Sequence, residues 1–223
     1  MIEEILPDAV IAVDTREEWL DIELFPQERV ALGQAVEKRR REFITARACV
    51  RRALAQLGLP PSPIATGDRG QPLWPAGVVG SITHCTGYRA CALTRVEEFA
   101  AVGIDAEPNE PLPAGVLEEI ARAEERPRLA ELMRAEPAVS WDRLLFSAKE
   151  AVYKVWFPIA ECWLGFEDAV LTLDPVSRRF QARLLKPWPN VGLRFPLTLE
   201  GRWMARDGLV LTAIALPHIC QFA

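Results

Sequence analysis

The chain has 223 residues, 50% of them hydrophobic, enough to bury a core as one domain or two small ones. Its net charge of -5 argues against a general binder of nucleic acid or of anionic membrane surfaces. No apolar run approaches the roughly 20 residues of a membrane span, and the opening MIEEILPDAV is acidic where a secretion signal is basic, so a soluble cytoplasmic protein is expected. The five cysteines (49, 85, 91, 162 and 220) form no CxxC pair, which fits buried thiols in a reducing compartment rather than a disulfide frame or a zinc site.

In chain order, AVIAVDT (9–15) reads as a strand. Residues 27–57 read as one long helix, stopped by Gly58 and the PPSP that follows. Within it Val36, Phe43, Val50 and Leu57 recur every seven residues, with Leu54 beside them, and define the expected buried stripe. On a helical wheel Arg39 and Arg47 fall about 40° to either side of Phe43, with Arg40 and Arg51 slightly further out. Arginines at such a margin either snorkel over the core or hold an anion. GDRGQP (67–72) is a turn that offers Arg69 to an anion. GVVGSITHC (77–85), YRACALTR (88–95) and AAVGIDAE (100–107) are short β-rich runs. PNEPLP (108–113) is a stiff joint, the expected boundary between an N-terminal lobe, 1–107, and a C-terminal lobe, 108–223. Residues 114–135 read as two short helical pieces around Pro127, and about 140–157 as a longer helix. Strands follow near 167–173, 179–185, 197–204 and 208–216. Each half then carries one long helix and three or four strands, an α+β fold of two similar lobes.

Chemistry concentrates in three stretches. On the wheel of the 140–157 helix, with Lys149 at the origin, the apolar face from Trp141 to Trp156 spans about 220° to 340°, while Lys149, Tyr153, Glu150 and Lys154 lie between about 0° and 140°. Alone this is an amphipathic helix with a solvated Glu150–Lys154 pair. In VGIDAEP (102–108), Asp105 and Glu107 share one face of a strand. They mark either a polar strand end or a cation site, and a few carboxylates with phosphate oxygens are what Mg²⁺ prefers. GSITHC brings Thr83 and His84, one of two histidines. The chain has no G-x-S-x-G, no phosphate-loop motif and no G-x-G-x-x-G. Together the stretches describe a site for a polyanion: a diphosphate on Mg²⁺ and a further phosphate reached by arginines and a histidine.

GSITHC, VGIDAEP and FSAKEAVYKVWF, in that order and at that spacing, resemble the motifs of 4′-phosphopantetheinyl transferases of the surfactin- and enterobactin-synthetase type. EFITAR, WDRLLFSAKE and WLGFEDA are most similar to the actinobacterial members, and the likeness covers roughly residues 38–170. It implies a pseudo-twofold monomer of two α+β lobes, each a long helix on a small, mostly antiparallel sheet, with the active site in the cleft between them. It implies transfer of the 4′-phosphopantetheine arm of coenzyme A to a serine of an apo carrier protein, acyl, polyketide or peptidyl, releasing adenosine 3′,5′-bisphosphate. Asp105, Glu107 and Glu150 would hold Mg²⁺, for which Mn²⁺ can substitute. Lys154 and Lys149 would meet the diphosphate or the neighbouring 3′-phosphate, and His84, with Thr83 beside it, a phosphate. Arg39 and Arg47 would take the 3′-phosphate, Arg40 competing with Arg39, and Arg69 and Gly70 would lie along the adenosine. Glu150, directly or through a metal-bound water, would accept the serine proton, and Lys154 would offset charge on the leaving group. The carrier would dock near 110–135 and on Trp156, Phe157 and Trp163, aromatics that a core would use equally. Rival readings of the same residues are a Mg²⁺-dependent phosphohydrolase and a non-catalytic coenzyme A or nucleotide sensor.

Overall fold

A computed structural model describes residues 1–189 and 195–218. In chain order the elements are β1 (Ile11–Thr15), α1 (Pro26–Leu32), α2 (Glu37–Gln56), β2 (Ala65–Thr66), β3 (Pro72–Leu73), β4 (Val78–Cys85), β5 (Tyr88–Arg95) and β6 (Ala101–Pro108). Then come α3 (Val116–Ile120), α4 (Arg126–Ala135), α5 (Trp141–Ala160), β7 (Ala169–Asp174), β8 (Arg179–Leu184), β9 (Thr198–Arg206) and β10 (Leu209–Leu216). They form the expected α+β fold. One antiparallel sheet has the order β1-β5-β4, the other β6-β10-β9-β8-β7, and β2-β3 is a small ribbon. The two longest helices, α2 and α5, have 20 residues each; α2 packs on the first sheet and α5 on the second.

The single helix expected over 27–57 is two. α1 ends at Gly33, whose φ of 51° is a left-handed turn open to glycine, and α2 restarts after Val36. Its buried stripe runs through Thr45, Ala46, Cys49, Val50, Ala53 and Leu54: of the expected heptad Val50 is buried, as is Leu54 beside it, while Phe43 and Leu57 are half-buried and Val36 is 74% exposed. A wheel locates an apolar face, but small residues let the sheet approach beside it. Around Pro127 the helical break comes earlier than expected, at 121–125, because proline is tolerated in the first turn of α4. Pro158 likewise sits in the last turn of α5, which runs on to Ala160.

The core of the second lobe buries Trp141, Trp156 and Trp203 completely. Trp141 meets Trp203 edge-on at 5.1 Å, and its Nε1 donates to the Glu136 carbonyl at 2.9 Å. No helix among the described residues is long and apolar enough to cross a membrane.

The joint between the lobes is β6. The expected boundary places this strand in the first lobe, yet its backbone pairs with β10 of the second sheet, Asp105 opposite Thr212 and Glu107 opposite Val210. Its other edge is taken by hydroxyls of β4: Ser81 Oγ accepts from the Ile104 N–H and Thr83 Oγ1 from the Ala106 N–H, both at 3.1 Å. α5 lies close over β6, since a Cβ on Gly103 would come 2.2 Å from the Ala151 carbonyl oxygen. That approach carries the polar side of α5 to the end of β6.

Candidate active site

β6 delivers Asp105 and Glu107 by strand alternation, and α5 delivers Glu150 and Lys154 one turn apart. Asp105 Oδ1 accepts from Lys154 Nζ at 2.8 Å and from Thr83 Oγ1 at 3.2 Å. Lys154 Nζ also donates to the Ile104 carbonyl at 3.0 Å. The lysine expected at a cleft thus lies across the seam from the D-x-E strand. Thr83 differs from its expected role: its hydroxyl is buried and spent on Asp105 and the β6 backbone, bracing the site from behind.

The charge of Asp105 bears on both of the other carboxylates. Burial, and then the Asp105 charge, push Glu107 up to about 6. The same two causes raise Glu150, with Lys154 opposing them. Asp105 Oδ2 is buried and has no hydrogen-bond partner, an uncommon and costly state for a carboxylate oxygen. An all-oxygen donor set with a bare buried oxygen and two acids pushed up fits a hard divalent cation. The expected triad is nevertheless not preassembled: among the described residues no three His, Cys, Asp or Glu side chains converge as a metal-holding group. Protein cations hold two of its members, Lys154 on Asp105 and Arg143 on Glu107 at 3.1 Å.

Next to these groups a cavity of about 370 Å³ opens between the lobes. α2 contributes Arg39, Phe43 and Arg47 to its wall, β4 His84, α5 Glu150 and Lys154. The turn joining β2 to β3 adds Arg69 and Gly70, where a φ of 83° needs glycine. Arg39 Nη1 reaches His84 Nε2, while Arg40 faces a separate depression with Glu23 and Arg29, so Arg39 is the one on the cavity. Burial, and then the Arg39 charge, lower the His84 pKa; Glu42 Oε2, 3.9 Å from Nδ1, opposes this. The lowered pKa keeps His84 neutral, an acceptor for the Arg39 guanidinium, and an anion bound between them would raise it again. Arg47 is buried, stacked at 4.2 Å on Phe43, with Nη2 donating to the Ile64 carbonyl at 3.1 Å and Glu28 Oε1 3.6 Å from Nε. Nε has no hydrogen-bond partner.

Lys149 departs from expectation. Its Nζ is enclosed by Glu125 Oε2 at 2.9 Å and by the carbonyls of Ile120, Phe166 and Ala169 at 2.8, 2.9 and 3.1 Å. With its donors taken and its side chain buried, it ties α5 to α3 and to the loop before β7, and is not available to a phosphate. The wheel put it at the edge of the polar face; the partner that makes its burial tolerable, Glu125, comes from a distant segment. Sequence reasoning also missed Arg143, whose partner Glu107 lies 36 positions away. Tyr153 was on the wheel without a role; it lines the cavity and packs on Phe157 and Trp163 at 5.6 and 5.2 Å. Of the three aromatics named for docking, Trp156 is core, Phe157 lines the cavity, and Trp163 is 62% exposed. Cys49 and Cys91 are buried free thiols and Cys85 and Cys162 half-buried ones; Cys220 lies outside the described residues.

Residues 27–94 match the family model of the 4'-phosphopantetheinyl transferase N-terminal domain, and residues 101–203 that of the 4'-phosphopantetheinyl transferase superfamily. The chain is 53% identical over 193 residues to the 4'-phosphopantetheinyl transferase Svp of Streptomyces mobaraensis, covering 86% of this chain and 78% of that one. It is 50% identical over 196 residues to PptT of Mycobacterium tuberculosis, covering 86% and 85%. It is 47% identical over 223 residues to Npt of Nocardia iowensis, covering 96% and 99%. Matched along both lobes at these identities, the chain belongs to the 4′-phosphopantetheinyl transferases.

Proposed function

We propose that the protein transfers the 4′-phosphopantetheine arm of coenzyme A to a serine hydroxyl of an apo carrier protein or carrier domain, acyl, polyketide or peptidyl, with Mg²⁺, releasing adenosine 3′,5′-bisphosphate. The observation that carries this reading is the juxtaposition of an arginine–histidine anion site with a carboxylate cluster holding an unpaired buried oxygen, beside one inter-lobe cavity. Arg39 and His84, with Arg47 behind them, would receive the 3′-phosphate, and Arg69 and Gly70 would flank the adenosine. Asp105, Glu107 and Glu150 would hold the divalent cation, which when bound supplies charge neutralisation on the diphosphate oxygens.

Phosphoryl transfer needs alignment and charge compensation more than covalent help from protein. The serine Oγ attacks the phosphorus on the pantetheine side of the diphosphate. The bond from that phosphorus to the bridging oxygen breaks, and the bridging oxygen leaves with the bisphosphate. The serine proton passes to Glu150, on the cavity wall beside Lys154, directly or through a water. Lys154 turns from Asp105 towards the leaving oxygens. A monomer in the cytoplasm completes the reading, and the free thiols of the described cysteines fit that compartment.

The test is to incubate the protein with coenzyme A, Mg²⁺ and an apo carrier and to weigh the carrier. A gain of one phosphopantetheine supports transfer. Coenzyme A cleaved without a gain would mark a phosphohydrolase, and coenzyme A left intact would mark a binding protein.

A further inference from the structure

Glu107 is not free to move. Arg143, in the first turn of α5, donates Nη1 to Glu107 Oε2, Nε to the Glu110 carbonyl and Nη2 to the Pro111 carbonyl, each at 3.1 Å. The same turn is tied to the same loop twice more. Asp142 Oδ2 accepts from the Leu112 N–H at 2.8 Å, and Asn109 bridges the Ala138 carbonyl and the Ser140 N–H at 2.8 Å each. The guanidinium, its side chain 17% exposed, is therefore held at the carboxylate cluster by the backbone itself. It differs in this from Lys154, which lines the cavity and can follow a substrate; Arg143 does not line it.

The charges then decide when a cation is welcome. Three carboxylates face two protein cations, Lys154 and Arg143, which leaves one net negative charge where the bare cluster would have three. A divalent cation alone meets little attraction there. One arriving on a diphosphate brings oxygens of its own and an anion that draws Lys154 off Asp105. Only Oε2 of Glu107 is taken by Arg143, so the carboxylate can keep the arginine and still offer its other oxygen.

We propose that Arg143 is a positioning residue that keeps Glu107 paired in the free protein, suppresses binding of a bare divalent cation, and so makes the cation bind together with coenzyme A. This rests on the assignment of the three carboxylates to the metal in the proposed function. The experiment is Mn²⁺ binding to the full-length protein, read from the electron paramagnetic resonance of free Mn²⁺ with and without coenzyme A. The parent should bind Mn²⁺ weakly alone and more tightly with coenzyme A. Arg143→Gln removes the charge and should bind Mn²⁺ alone roughly three- to tenfold more tightly, a loss of repulsion expected for one unit charge at a partly solvated site. The enhancement by coenzyme A should fall by the same factor. Arg143→Met, which also loses the bonds to the two carbonyls, should tighten Mn²⁺ alike, and Arg143→Lys should stay near the parent. If the parent binds Mn²⁺ with coenzyme A but the two neutral variants match it or bind more weakly, the proposal is overturned and the metal assignment stands. If the parent binds no Mn²⁺ even with coenzyme A, both fall together.

Discussion

Arg39 and Arg47, both expected at the 3′-phosphate, sit in different surroundings. Arg39 is exposed and, among the described residues, its side chain hydrogen-bonds to His84 alone, so Arg39→Ala should leave the melting temperature near the parent's. It should weaken coenzyme A more than 3′-dephospho-coenzyme A, by about 1.5–3 kcal/mol for a charged contact. Arg47→Ala should show the same discrimination together with a stability loss of about 1–3 kcal/mol, because it removes the donor to the buried Ile64 carbonyl, while Glu28 keeps Arg51. Isothermal titration with the two ligands, beside melting curves, separates these outcomes; equal losses for both ligands would remove either arginine from that role. Glu107 carries a pH signature. Its folded pKa, about 6, lies above the ordinary 4.5, so the folded state holds the proton more tightly than the unfolded chain. The resulting stabilisation is full below the unfolded value and disappears as pH rises through about 6. In metal-free protein, the stability of the parent relative to Glu107→Gln should therefore decline from about pH 5 to about pH 7, as seen in denaturant titrations.

At the level of elements, α5 is one helix with three duties: an apolar face in the core, a buried lysine tying down the neighbouring loop, and Glu150 and Lys154 at the cleft. Lys154→Ala should lower turnover by on the order of 10²–10³-fold through lost charge stabilisation. Glu150→Gln should fall further, losing proton acceptor and metal ligand together. Glu150→Gln touches neither the apolar face nor an ion pair among the described residues and should leave the unliganded melting temperature near the parent's, whereas Lys154→Ala leaves the buried Asp105 carboxylate without its cation and should lower it. Near-parent activity in both would mean that this side of α5 is merely solvated. The close crossing of β6 offers a sharper test. Gly103→Ala puts a methyl against the Ala151 carbonyl and should cost about 1–3 kcal/mol while moving Glu150 and Lys154 away from Asp105. A loss of turnover beyond the loss of folded protein would show that this packing sets the site.

In the whole molecule the lobes are joined by a shared strand, which makes them mutually dependent. A chain cut after Glu107 would strand β6 away from β10 and leave α5 without the strand it packs on. Residues 108–223 expressed alone should therefore lack cooperative unfolding, while the intact chain should melt in one transition. Coenzyme A with Mg²⁺, bound by both lobes in the proposed function, should raise that transition, and raise it less in Glu150→Gln.

The strands 78–85, 88–95 and 101–108, the α5 amphipathicity, and the sharing of one face by Asp105 and Glu107 and of another by Glu150 and Lys154 were legible because each is written in local alternation or helical period; that β6, α5 and His84 belong to one site is what the resemblance implies. Where α1 stops, which small residues of α2 meet the sheet, and which lobe owns β6 were not legible, since these depend on close approaches between segments far apart in the chain. The same holds for charge. Lys149 and Lys154 lie on one helix five positions apart, and nothing local tells them apart; Glu125 and three carbonyls bury the first, and Asp105 brings the second to the cleft. A periodic pattern determines which residues share a face, because that is geometry within one element. Whether a charged member of that face is buried, paired or free depends on desolvation and partners, and these exist only once the tertiary structure has assembled them.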